Sequence, residues 1–172
     1  SGGTTHPSTQ VKFKLGDVNV TLIRTKRGET IYLGHNCDNP RPYSRGLVLQ
    51  GTRGIIEGWP GRAYVEGVSE KPHRWDALEP WYEKYDHPLW KSEQVRTSTG
   101  GHGGMDYLED LRLIECLRRG EPTDQNVYDA AAWSVITPLT ERSVANRSRP
   151  VDVPDFTRGR WKTTPRLGVI GA

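Results

Sequence analysis

The chain has 172 residues, with 24 Lys and Arg against 21 Asp and Glu and a net charge of +3. That is the size of one ordinary domain, or of one half of a two-domain protein. The charge is too small and too dispersed for nucleic-acid binding by electrostatics alone. No run of about 18 apolar residues is present to span a membrane as a helix.

The opening SGGTTHPSTQ carries no basic-then-apolar leader pattern, and residues 1–15 read as a flexible N-terminal segment or an expression remnant. The first half then reads as β. VNVTLIRT (18–25) places Val18, Val20 and Leu22 on alternate positions, Lys26-Arg27-Gly28 supplies a turn, and ETIYLGH (29–35) follows. That is a hairpin. GLVLQG (46–51) and GIIEGW (54–59) form a second hairpin around Thr52-Arg53, with RAYVEG (62–67) as a further strand. One-sided alternation predicts an antiparallel sheet with one face covered and the other free or paired.

Residues 69–99 read as irregular, interrupted by Pro72, Pro80 and Pro88, with one short helix near 78–85. Three of the six tryptophans fall here, Trp75, Trp81 and Trp90. Aromatic rings this dense either fill a gap over a sheet or line a groove. A helix is predicted from Met105, with Met105, Leu108, Leu111, Ile114 and Leu117 as its apolar stripe and Gly120 as its terminating glycine. Asn126 with Asp129 resembles a helix-start cap. The following helix runs over 127–145 with a kink at Pro138, and the chain beyond Asn146 is extended and polar. Strands first and helices after predict an α+β domain, an open and largely antiparallel sheet backed by helices on one face, over residues 16–162. Residues 163–172 form a tail.

Three constellations bear on chemistry. In GGHGGMD (100–106), glycines leave the His102 imidazole unshielded, and Asp106 lies four residues on, where it could orient the ring or favour the helix start. The alternative is a loop that merely crosses a helix end, with His102 as a cap. In HNCDNPRPYSR (35–45), two prolines stiffen a connection in which Arg41 and Arg45 bracket Tyr43. Such a loop suits a sugar, the ring covering a pyranose face while guanidinium groups reach hydroxyls; it equally describes a proline-fixed turn with solvated arginines. Asn146, Asp155 and Arg158 are most simply part of a surface arm, and residues 142–166 carry seven Arg or Lys against two Asp. No HxxxH or HExxH spacing predicts a metal site. Cys37 and Cys116 form no CxxC pair, and Cys116 reads as a small buried thiol. The terminal GVIGA resembles the first strand of a dinucleotide-binding unit but does not complete the GxGxxG fingerprint, so it reads as a short tail strand.

Taken together, GDVNVTLIRTKRGETIYLGHNCDNPRPYSR, GGHGGMDYLEDLRLIECLRRGEPTDQNVYDAAAWSVITPL and SVANRSRPVDVPDFTRGRWK resemble the C-terminal part of NAD-dependent glycosidases. These are glycoside hydrolase family 109, α-N-acetylgalactosaminidase-like members of the Gfo/Idh/MocA oxidoreductase superfamily. The resemblance covers most of residues 16–162, with the 60s to 90s loosely matched. It implies a Rossmann domain that holds NAD and is absent from these residues, and a C-terminal domain that walls the sugar pocket. The implied chemistry oxidises the sugar C3 hydroxyl by hydride transfer, eliminates the glycosidic group, adds water and returns the hydride. It implies Tyr43 as a sugar-contacting residue, with Arg41, His102 and Asp106 as further substrate-binding candidates. No cofactor or metal residue is assigned, and the fragment alone is expected to be inactive. A YPTHGLGP-type stretch of the family is missing, and His6 in TTHPS is not its equivalent. Alternatives are the substrate domain of a sugar dehydrogenase of the same superfamily, or a non-catalytic carbohydrate-binding or assembly module. The implied partners are a carbohydrate, a separate Rossmann domain and a second copy through the sheet face, with neither nucleic acid nor membrane. The compartment stays open between cytoplasmic and exported.

Overall fold

The computed structural model describes residues 6–12, 16–97 and 101–165; the GVIGA tail lies outside them. The chain divides into two compact units, residues 1–44 and 45–172.

The first unit is a hairpin. Strand β1 (Val18–Arg24) pairs antiparallel with β2 (Thr30–Asn36) in a register that sets Leu22 against Tyr32 and Val20 against Gly34. The turn closes through Thr25 N–H to Glu29 O at 2.9 Å, and Gly28 takes φ +104° there. A two-residue alternation puts Val18, Val20, Leu22 and Tyr32 on one face. All four are more than half exposed, Leu22 at 71% and Tyr32 at 69%. The alternation expected to mark a covered face thus marks an open one.

The second unit begins with four strands in the order β3 (Val48–Gln50), β4 (Gly54–Gly58), β5 (Gly61–Val65) and β6 (Asp76–Ala77), all neighbours antiparallel. The α+β class with open antiparallel sheets holds, but the strands pair as two sheets where the sequence suggests one. Strand β6 has only two residues, too few for any alternation to mark. On one face of the sheet Glu57 sits opposite Arg62, joined at 2.6 Å, and the Arg62 guanidinium lies over the Trp75 ring at 4.2 Å. On the other, Ala63 is buried. Leu78, 2% exposed, packs where a Cβ on Gly61 would meet its side chain at 3.4 Å.

Leu78 leads into α1 (Glu79–Tyr85), followed by α2 (Pro88–Lys91) and α3 (Glu93–Thr97). Residues 69–97 are therefore more helical than the sequence suggests. Pro80 and Pro88 stand in first turns, where the missing N–H costs nothing, so they open helices as well as interrupting the chain.

Helix α4 (Met105–Arg119) ends at Gly120, whose N–H reaches the Leu117 carbonyl at 3.3 Å. Its apolar stripe is not the predicted one. Each three-residue step falls about 60° short of a turn, so the row from Met105 winds around the helix. Ile114 and Leu117 are exposed, and Cys116, at 1%, is the buried residue. Arg112 replaces the missing apolar anchor. Its Nε and Nη2 donate to the two Asp124 oxygens at 2.9 and 3.0 Å, and its Nη1 donates to Glu115 at 2.7 Å. The Asp124 carboxylate, more than any other group, holds the guanidinium above its ordinary pKa.

The expected long helix is two, α5 (Val127–Ser134) and α6 (Ile136–Ala145). Pro138 cannot donate to Ser134 O, so the ladder is interrupted there while Val135 keeps helical angles. Asn126 and Asp129 form a reciprocal cap at the start of α5, as the sequence suggests. Beyond α6 the arm is pinned, since Arg160 stacks over the Tyr128 ring at 4.8 Å and bonds its hydroxyl.

Asp124→Ala would leave the guanidinium, 13% exposed, without its two-point partner. The expected loss is about 2–4 kcal/mol of stability, read by urea denaturation of the full-length protein beside wild type. A change within error would show that Arg112 does not anchor the 121–126 connector.

Candidate functional site

The GGHGG loop closes onto the start of α4. His102, Gly103 and Gly104 take φ of +53°, +70° and +91°, three successive left-handed positions. A left-handed conformation is uncommon for a residue with a Cβ, so the glycines on one side of His102 are explained by the turn. Gly101 is explained by crowding, because a Cβ there would lie 2.5 Å from Asp106 Oδ2. Gly100 lies outside the described residues.

The turn brings His102 and Asp106 together. Nδ1 of His102 is 3.0 Å from both carboxylate oxygens of Asp106. A carboxylate in the acceptor role fixes the ring hydrogen on Nδ1 and leaves Nε2 to accept from a ligand. The side chains are 71% and 51% exposed, so the pair is open to solvent. Asp106 is also the acidic residue of the first turn of α4, where its charge is favoured by the helix dipole. The orienting and helix-start roles, alternatives in the sequence, coexist in one side chain.

Residues 35–44 belong to the other unit, and Arg45 is the first residue of this one. Tyr43 is 72% exposed and Arg41 and Arg45 are exposed too. His35 Nε2 lies 3.0 Å from Cys37 Sγ, a contact the sequence did not point to. Asp38 is pushed above the ordinary carboxylate range, first by a hydrogen bond with Asp17 and then by its charge. Arg41 and Tyr43 thus stand in one unit, His102 and Asp106 in the other.

The arm of Asn146, Asp155 and Arg158 holds its own turn. Asp155 accepts from the Thr157 hydroxyl at 2.6 Å, Thr157 N–H at 3.0 Å and Gly159 N–H at 2.8 Å. Those bonds, the Thr157 hydroxyl foremost, hold its carboxyl below the usual range. Arg158, at φ +51°, and Gly159 follow in left-handed conformation.

A groove that the sequence only half signalled is lined by Trp75, Trp81 and Tyr85 with Glu70, Asp76 and Lys84. The tryptophan density was its one advance sign. All strand pairs among the described residues are antiparallel. The parallel strand–helix–strand crevice that binds dinucleotides is not built among the described residues.

The fold and the open His102–Asp106 pair define an α+β domain that offers an oriented imidazole on a glycine-built loop. The chain matches the family description "Glycosyl hydrolase 109, C-terminal domain" over residues 1–163. A "Glycosyl hydrolase family 109 protein" of Shewanella putrefaciens (strain CN-32 / ATCC BAA-453) is 49% identical over 171 residues, 97% of this chain and 37% of the relative. One of Shewanella pealeana (strain ATCC 700345 / ANG-SQ1) is 49% identical over 169 residues, 96% of this chain and 37% of the relative. A "Glycosyl hydrolase family 109 protein 1" of Shewanella sp. (strain MR-4) is 48% identical over 171 residues, with shares of 97% and 37%. The chain belongs to glycosyl hydrolase family 109, as its C-terminal domain. It spans 37% of the length of these relatives.

A folded carboxyl held low contributes stability that is present above its unfolded pKa and lost as pH falls through the folded one. The amide resonances of Thr157 and Gly159 should therefore hold their positions as pH drops through about 4, and move only below it. Movement centred at the ordinary aspartate value would show that the turn does not bind the ionised carboxylate.

Proposed function

We propose that this chain is the sugar-facing domain of a family 109 glycosidase of the Gfo/Idh/MocA type. NAD is held by a Rossmann domain outside these residues, and the domain alone is inactive. The observation that carries the reading is the solvent-open imidazole of His102, aimed by Asp106 from a loop stripped of side chains. An imidazole with Nδ1–H tied to a carboxylate can accept a hydrogen bond from a hydroxyl at Nε2. In a sugar site that would hold and polarise a ring hydroxyl. In the other unit, and as a separate candidate contact, Tyr43 offers an exposed ring for a pyranose face and Arg41 a donor fork for hydroxyls. The family membership supports a carbohydrate as the ligand.

The test uses the full-length protein and 4-nitrophenyl α-N-acetylgalactosaminide. Hydrolysis is expected. Tyr43→Ala should lower kcat/KM about tenfold, the loss of one ring contact, and His102→Ala should lower kcat about a hundredfold. Unchanged kinetics in both variants would defeat the site assignment. Net accumulation of reduced nicotinamide with free sugar would instead mark a dehydrogenase.

The open row Val18, Val20, Leu22 and Tyr32 supports a second element of the proposal, that β1–β2 packs against another surface in the assembled protein. A two-stranded hairpin is marginal by itself in water, and this one buries no residue. A homo-oligomer through this face is the expected form. Leu22→Glu should shift the full-length protein to a smaller species in size-exclusion chromatography with light scattering. A wild type that is monomeric at high concentration would overturn the oligomer.

A further inference from the structure

The structure points to a carbohydrate-binding groove formed by Trp75, Trp81 and Tyr85, and we infer that it takes a neutral pyranose unit. The inference deepens the glycosidase reading and rests on it for the class of sugar.

The groove measures about 450 Å³, within the roughly 300–1,000 Å³ span of small-molecule sites. Trp81 and Tyr85, four residues apart on α1, stack with ring centres 5.6 Å apart and planes at 27°. Trp75, at the edge of β6, is fixed by the Arg62 guanidinium 4.2 Å from its ring centre, and Arg62 is itself held by Glu57 at 2.6 Å. A ring braced in this way could have been sealed into the core, yet Trp75 stays 41% exposed and Tyr85 58%. Apolar burial stabilises by roughly 25 cal/mol per Å², so rings held rigid and open forgo stabilisation that packing would supply. Binding is the use that accounts for them.

The rim selects among ligands. Glu70 and Asp76 stand against Lys84, whose Nζ lies 5.0 Å from the Tyr85 ring centre, while the Arg62 guanidinium at Trp75 is already matched by Glu57. Two carboxylates to one ammonium disfavour phosphate, nucleic acid and acidic peptide. A purely apolar partner would strip water from both carboxylates without repaying them. A neutral polyol satisfies the whole set. Its C–H face meets the negative faces of the rings, and its hydroxyls donate to Glu70 and Asp76 and accept from Lys84.

The test labels the full-length protein with fluorotryptophan and follows its fluorine spectrum as methyl α-N-acetylgalactosaminide or N-acetyllactosamine is added. Trp75 and Trp81 are assigned by single Trp→Phe replacement. Saturable shifts of these two resonances at millimolar sugar are expected, with Trp133 and Trp161 unmoved. Tyr85→Ala should weaken the apparent affinity about fivefold. If that variant does not fold, Glu70→Ala, altering an exposed loop side chain, reads the same loss. Silence of both resonances up to about 50 mM, far weaker than a millimolar site, overturns the inference. So do shifts that neither variant weakens. The readout needs no turnover. Ring shifts in a protein that hydrolyses nothing would sink the glycosidase reading alone, and hydrolysis with silent rings would sink the groove alone.

Discussion

Arg112 connects the polar site loop to the helical part of its unit. It projects from the middle of α4, and its two-point grip on Asp124 ties the helix to the connector that leads into the Asn126 cap of α5. The same helix begins at the left-handed turn that sets His102 against Asp106. A helix whose apolar residues are largely exposed needs some other anchor. A guanidinium that satisfies two carboxylates and touches the Cys116 sulfur at 3.6 Å provides one. Directional bonds of this kind fix the orientation of the helix, which apolar contact, being non-directional, would leave looser.

Burial is sparse around this framework. Ala63, Leu78, Val95 and Cys116 are the buried hydrophobic residues among those described. Val18, Val20, Leu22 and Tyr32 on the hairpin, and Leu49 on β3, stay open. Uncovered apolar area of this kind is the ground for the proposed packing of β1–β2 against another surface. The polar features are finished locally instead. The Asp155 turn, the Asn126–Asp129 cap and the Glu57–Arg62–Trp75 stack close within one unit. These three are completed by residues of the same unit, whereas the apolar rows are not.

Much of the fold was legible because its signals are local. Val18, Val20 and Leu22 alternate, Lys26-Arg27-Gly28 turns, Gly120 terminates and Asn126 caps, each by chemistry reaching no further than four residues. The candidate pair was legible for the same reason, His102 and Asp106 being four residues apart. The errors arose where local signals were ambiguous. Pro80 and Pro88 look like interruptions in the sequence, yet proline is equally suited to a helix's first turn. The three-residue stripe from Met105 mimicked an amphipathic face but drifts off it. The Arg112–Asp124 clamp spans twelve positions, and nothing in either residue's neighbourhood advertises the other.

The sequence by itself determined the element types, the family, and the residues carrying the imidazole, its carboxylate and the exposed tyrosine. It did so because propensity, capping and short-range spacing are properties of adjacent residues. Only the tertiary structure decided that the apolar alternation faces outward and that the strands divide into two sheets. It also decided that Trp75 and Trp81 of the middle segment line a groove. Those outcomes depend on which distant surfaces compete to cover a given side chain, and that competition is not written in any one stretch of chain.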